Sequence, residues 1–241
     1  MKITVPLGSR FARALFGLLG IAAFAWADGP GVLTSIQAKS DFQLSTDPHS
    51  KNWRNVQGVI ADHDPFGKPL AEAHTEIRSR WTKKNLYFIF IANYRDLYLK
   101  ANPLLDKETW GLWDFDVDEV FIGQDRQNIN LYKEFEVSPQ GEYIDLEVDH
   151  SSKDGVNWLW NSGMRLKTRI DREHKIWYCE IQIPWKGIAA HKPKNGDQFR
   201  LNLYRIEGGP ALRKYIVWQV TNSPSFHTPQ AFGRLVLGKQ E

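Results

Sequence analysis

In the stretch Ile176-Trp177-Tyr178-Cys179-Glu180-Ile181-Gln182-Ile183, the residues Trp177, Cys179, Ile181 and Ile183 alternate with Tyr178, Glu180 and Gln182. A repeat of two places successive side chains on opposite faces of an extended backbone, so the stretch reads as a half-buried antiparallel strand. Working outward, the same extended character recurs at Thr75–Trp81, Asp118–Ile122, Leu131–Ser138, Tyr143–Val148, Met164–Ile170, Gln198–Ile206, Tyr215–Val220 and Arg234–Leu237. Leu86–Asn93 is a near-continuous aromatic and β-branched run, which suits a strand buried on both faces. Pro139-Gln140-Gly141 closes a hairpin, Asp62–Pro69 reads as loop, and only Trp185–Ala190 has a helical look before Pro193. Ahead of these lie a possible short strand near Phe42, a turn at Thr46-Asp47-Pro48, and Trp53 as a packing anchor at the domain edge. Many short strands with almost no helix predict an all-β fold: a single-domain antiparallel β-sandwich of the jelly-roll type, or a related barrel.

The first 27 residues are set apart from this domain. Lys2, Arg10 and Arg13 precede an apolar run from Ala14 to Phe24, and Ala25-Trp26-Ala27 supplies a small-x-small cleavage pattern. We therefore expect a signal peptide at 1–27, a mature domain at 28–241, and a protein exported to the periplasm or the extracellular space. Of 241 residues, 31 are Lys or Arg and 28 are Asp or Glu. Removing the three basic groups of the leader leaves a near-neutral mature chain, which gives no electrostatic reason to expect nucleic acid or a membrane surface as partner. Cys179 is the single cysteine, so no internal disulfide exists, and its place in the strand marks it as a small core residue.

Chemistry concentrates in Trp110-Gly111-Leu112-Trp113-Asp114-Phe115-Asp116-Val117-Asp118-Glu119-Val120-Phe121. Flat indoles can stack on the C–H faces of a pyranose, and carboxylates accept strong hydrogen bonds from its hydroxyls. Trp81, Trp177 and Trp218 fall in strand runs and read as core, whereas Trp110, Trp113, Trp158 and Trp160 stand in loop-like stretches where aromatic surface more often meets a ligand. The residues alone leave other readings open. Trp113 could cap the sandwich edge, with Glu119 paired to Arg78 or Arg205. Asp114, Asp116 and Asp118, or Asp62 and Asp64, could offer oxygens to calcium, although no EF-hand glycine follows. Asp116, Glu119, Glu136 and Asp145 supply carboxylates for glycoside hydrolysis without fixing an acid and a nucleophile.

Beyond these elementary readings, the order Leu86-Tyr87-Phe88, Trp113-x-x-Asp116-x-x-Glu119-Val120-Phe121, Tyr132-x-Glu134-Phe135, Glu180-Ile181-x-Ile183-Pro184-Trp185, Asn202-x-x-Arg205 and Phe226-His227-x-Pro229-x-x-Phe232-Gly233 resembles the family 9 carbohydrate-binding modules. The resemblance spans roughly Asp47 to Gly238. It implies a DOMON-like sandwich that binds mono-, oligo- or polysaccharide without catalysis, appended to or working beside glycoside hydrolases, with structural calcium in some members. Carried onto this chain, the family's first stacking tryptophan is Trp113 and its carboxylate Glu119, while the second tryptophan becomes Phe226. The family's Arg and Asn of the next strand become Glu136 and Ser138, which reverses a charge. Trp110 and His227 are further expected contacts. Some DOMON-like sandwiches hold haem between Met and His, a minor alternative in which Met164 would serve.

Overall fold

The computed structural model describes residues 31–124 and 127–239, so the expected leader at 1–27 lies outside the described residues. Thirteen strands run in chain order: β1 (Val32–Gln37), β2 (Val59–Ala61), β3 (Thr75–Trp81), β4 (Asn85–Asn93), β5 (Val117–Gly123), β6 (Leu131–Val137), β7 (Tyr143–Asp149), β8 (Val156–Asn157), β9 (Arg165–Asp171), β10 (Ile176–Pro184), β11 (Gln198–Glu207), β12 (Lys214–Val217) and β13 (Gly233–Gly238). They form one curled sheet in the order β8-β7-β6-β5-β11-β13-β1-β3-β4-β10-β9, with β12 added to β11 and β2 to β3. Neighbours are antiparallel except at β1, which lies parallel to both β13 and β3.

The curl folds two layers face to face, giving the expected β-sandwich. Val120 and Ile122 of β5, Phe135 and Val137 of β6, and Leu201 and Leu203 of β11 share one core with Phe88 and Phe90 of β4 and with Trp177, Cys179 and Ile181 of β10. The period-two alternation of β10 explains which residues reach that core, and β4, buried along nearly its whole length, has apolar cover on both faces as its sequence predicts.

The second cover on β4 comes from the segment read as mixed. Phe42 is not in a strand; its ring stacks on Tyr87 at 4.1 Å, and Trp53, fully buried, packs against Tyr87 and Ile89. Glu180 ties this segment down by accepting hydrogen bonds from the Ser45 and Thr46 amides, each at 2.7 Å, and from Trp53 Nε1 at 2.9 Å. Trp53 is therefore an interior anchor of the outer face, because the indole N–H finds a buried acceptor there. Sequence reading also overlooked the short strands β1, β2 and β8, while the helical look of Trp185–Ala190 reduces to one 3-10 turn at Trp185–Gly187. Of Tyr215–Val220, the strand extends only as far as Val217, whose outer edge carries a bridge to His63.

Candidate functional site

The outer face of β5, β6, β7 and β11 carries a second apolar cluster, including Phe121, Tyr132, Leu146, Tyr204 and Ile206, and three carboxyl groups stand on this floor. Since Val120 and Ile122 of β5 point inward, Glu119 and Phe121 point outward. Across the ladder Glu119 faces Glu136 and Phe121 faces Glu134, while Tyr204 of β11 lies on the other side of Glu119. Directly opposed residues on one sheet face have neighbouring side chains, so Glu119, Glu134 and Glu136 form a contiguous acidic group.

One wall is a turn that rises from the start of β5. Gly111 has φ 76°, a left-handed conformation that costs a glycine little, and it starts the 3-10 turn Leu112–Asp114 that presents Trp113. Leu112 is buried beneath the turn, and Arg213 donates from Nη1 to the Trp113 carbonyl at 2.9 Å and from Nη2 to the Asp114 carbonyl. Trp110, 57% exposed, meets Trp113 edge-on at 5.0 Å and Trp158 at 5.8 Å. The opposite wall is Pro224, Phe226 and His227. Phe226 stacks parallel on Tyr204 at 4.1 Å and touches Tyr215 edge-on, and the Tyr204 hydroxyl donates to its carbonyl at 2.9 Å. Between the walls lies a cleft of about 330 Å³.

The electrostatics of the floor follow from burial. Glu119, Glu134 and Glu136 are at most 4% exposed, and Glu134 Oε2 and both Glu136 oxygens have no hydrogen-bond donor. Burial first, and the adjacent carboxylates second, push Glu119 and Glu136 well above the usual carboxylate range. Burial raises Glu134 to about 7. His227 moves the other way, to about 4, through burial and then the nearby His150. Its Nδ1 is 2.7 Å from the Tyr132 hydroxyl and its Nε2 is 3.9 Å from Glu134 Oε2. A neutral imidazole accepting from Tyr132 carries its proton on Nε2, facing the acidic group.

Of the residues expected from sequence, Trp110, Trp113, Glu119, Glu136, Phe226 and His227 line this cleft. Ser138 is a correction. Its hydroxyl donates to Glu142 and receives the Gln140 and Glu142 amides, so it serves the turn after β6 and does not line the cleft. Glu134, Phe121 and Tyr215 are additional lining residues. Glu134 was legible in the alternation Tyr132-x-Glu134-x-Glu136, which places all three on one face. The alternative ion pairs for Glu119 are not formed: Arg78 pairs with Glu76, and Arg205 lies on the inner face bonded to Glu207 and Thr75.

The calcium expectation fares differently from the sugar residues. Asp114 is exposed, whereas Asp116 is buried and accepts the Gly208 amide at 2.6 Å. Among the described residues no three His, Cys, Asp or Glu side chains are grouped to hold a metal. Met164, on which the haem alternative rests, packs against the inter-sheet core.

Comparison with known proteins places this arrangement among relatives. The family described as "Carbohydrate family 9 binding domain-like" matches residues 48–240. The chain is 26% identical over 195 residues to an "Extracellular protein" of Arthroderma benhamiae, covering 76% of this chain and 84% of that one. It is 22% identical over 189 residues to endo-1,4-beta-xylanase A of Thermotoga neapolitana, covering 78% of this chain but 16% of that enzyme. Among solved structures, a family 9 carbohydrate-binding module from Caldicellulosiruptor kristjanssonii in complex with glucose superposes with a TM-score of 0.62 at 15% identity, covering 88% of this chain and 97% of that one. A Bacteroides uniformis structure gives a TM-score of 0.67 at 12% identity, covering 87% and 100%. At these identities the structural matches establish the fold.

Proposed function

Because the chain belongs to the family 9 carbohydrate-binding domains, we propose that it is an exported, non-catalytic saccharide-binding protein whose ligand occupies the cleft between Trp113 and Phe226. The observation that carries this reading is the acidic floor of Glu119, Glu134 and Glu136 between aromatic walls. A pyranose presents C–H faces to rings and hydroxyls to oxygens, and this cleft offers both at once. Trp113 supplies the broader stacking surface. Phe226 already has one face on Tyr204, so only its remaining surface faces the ligand.

A hydrolytic role is disfavoured by the same geometry. Glycoside hydrolysis uses two carboxyl groups flanking one bond. Here the carboxyl groups that line the cleft rise side by side from adjacent strands of its floor, and no Asp or Glu lines the Phe226 wall. Asp145 is engaged with Ser162 away from that lining. The relative named as a xylanase, of which the matching stretch is a small part, supports a role beside polysaccharide-degrading enzymes.

Calorimetric titration against a glycan panel, with wild type and Trp113→Ala, tests the reading. Affinity on the order of micromolar to millimolar is expected for one or two aromatic stacks, and the variant binds about tenfold more weakly. If no glycan binds, or the folded variant binds as well as wild type, the reading fails.

A further inference from the structure

We propose that the saccharide held in this cleft carries a protonated amine: its ligand class is a hexosamine with a free amino group, as in a de-N-acetylated β-linked glucosamine chain. The inference rests on the sugar-binding reading and narrows it. It starts from the inventory of polar groups. Among the described residues, Glu119, Glu134 and Glu136 line the cleft and no Lys or Arg does; His227 is the only basic side chain of that lining. Glu134 and Glu136, both nearly or fully buried, keep oxygens with no donor. Arg213, which comes near the Trp113 turn, directs both terminal nitrogens at backbone carbonyls.

A sugar hydroxyl both donates and accepts, and ionised carboxylates meet only the donating half of that capacity. An ammonium group has three donors and no acceptor, which is the complement of this floor. It also supplies the missing charge. Like carboxylates crowded in a low dielectric resist ionisation, and a cation placed among them removes that penalty. The aromatic walls help, since the faces of Trp and Phe attract a cation held within about 6 Å. An N-acetylated hexosamine offers neither the charge nor the three donors.

The groups that would sense such a charge are the three glutamates, with Asp114 and Asp118 on β5 and its approach, Tyr132 and His227 at one end with Arg200 of β11 acting on Tyr132, Tyr204 from β11, Tyr215 from β12, and His150 behind His227. Burial leaves Glu134 with a pKa of about 7, and burial with the adjacent carboxylates pushes Glu119 and Glu136 well above the usual carboxylate range, so the floor holds protons at mildly acidic pH. Docking an ammonium group favours the ionised carboxylates and expels protons. A neutral sugar has no such requirement.

The test is titration calorimetry near about pH 6, where the ligand amine is protonated. The ligands are the β-1,4-linked glucosamine disaccharide, its N-acetylated form, cellobiose and 2-aminoethanol. Repeating the titration in two buffers of different ionisation enthalpy counts protons released. We expect the glucosamine disaccharide to bind at least about tenfold more tightly than the two neutral disaccharides, with net proton release. Glu134→Gln and Glu136→Gln, each checked for folding by circular dichroism, should lose that preference and the proton release. Equal affinity for all three disaccharides overturns the amine proposal and leaves the sugar reading standing. Binding of 2-aminoethanol as tight as that of the disaccharide overturns the saccharide component, and no binding by any of the sugars overturns both.

Discussion

Replacing Glu134 by Gln removes an ionisable group from the cleft floor while nearly keeping its shape, and the resulting change in stability should depend on pH in a defined direction. The folded-state pKa of Glu134 is raised from 4.5 to about 7 by burial, so between those values the folded protein holds a proton that the unfolded chain has released. A carboxyl group shifted upward contributes stability that is fully present below its unfolded pKa and is lost as pH rises through the folded one. The shift corresponds to about 3 kcal/mol of stability lost by wild type between about pH 4.5 and pH 7.5. Gln cannot ionise and loses none of it. Wild type and Glu134→Gln should thus unfold alike near about pH 4.5, and the variant should gain by about 3 kcal/mol, or roughly 6–12 °C in Tm, above pH 7.5. Because Glu119 and Glu136 share protons with Glu134, the transition belongs to the cluster, and its midpoint is a property of all three. Urea unfolding of both proteins, without sugar, at half-unit pH steps measures the difference directly. A difference that stays constant across this range, or that grows in favour of wild type as pH rises, would refute the burial and repulsion assigned to the floor.

Two further perturbations separate the walls of the cleft from the body of the sandwich. Arg213→Ala frees the Trp113 and Asp114 carbonyls, so the Trp113 turn loosens; we expect sugar affinity to fall about fivefold, as measured by calorimetry, with the free energy of unfolding changed by less than about 1 kcal/mol. Glu180→Gln should do the opposite: it removes the charge that holds the Ser45 and Thr46 amides and the Trp53 indole, costing about 2–4 kcal/mol in urea unfolding, while sugar affinity of the folded protein stays unchanged.

The fold was legible wherever a strand had one or two buried faces long enough to establish a period. β10 and β4 are examples, and their sequences state both the extended backbone and the side that meets the core. Short elements carry too few residues for that signal. β2 has three residues and β8 two, and each exists because a longer neighbour, β3 or β7, offers a ladder to join. Phe42 and Trp53 were misplaced for a related reason: both pack on Tyr87 of β4 in a segment that Glu180, well over a hundred residues away, holds down, and nothing local encodes that placement.

At the site, the same alternation that gives the fold divides the carboxylates by chemistry. All seven residues of β5 are buried, yet Asp118 and Glu119, neighbours in sequence, point to opposite sides of the sheet. Burial raises Asp118 well above the usual carboxylate range, with Arg205 across the ladder acting against that shift; Glu119 sits across from Glu136, and among the described residues no Lys or Arg lines the cleft. An acidic run in sequence thus becomes one carboxylate with a cationic neighbour inside the sandwich and another among like charges on its surface. Ser138 follows the parity of Glu134 and Glu136, but β6 ends at Val137 and the turn claims its hydroxyl. Parity therefore nominates the face, and the length of the strand decides how many of its residues a ligand can reach.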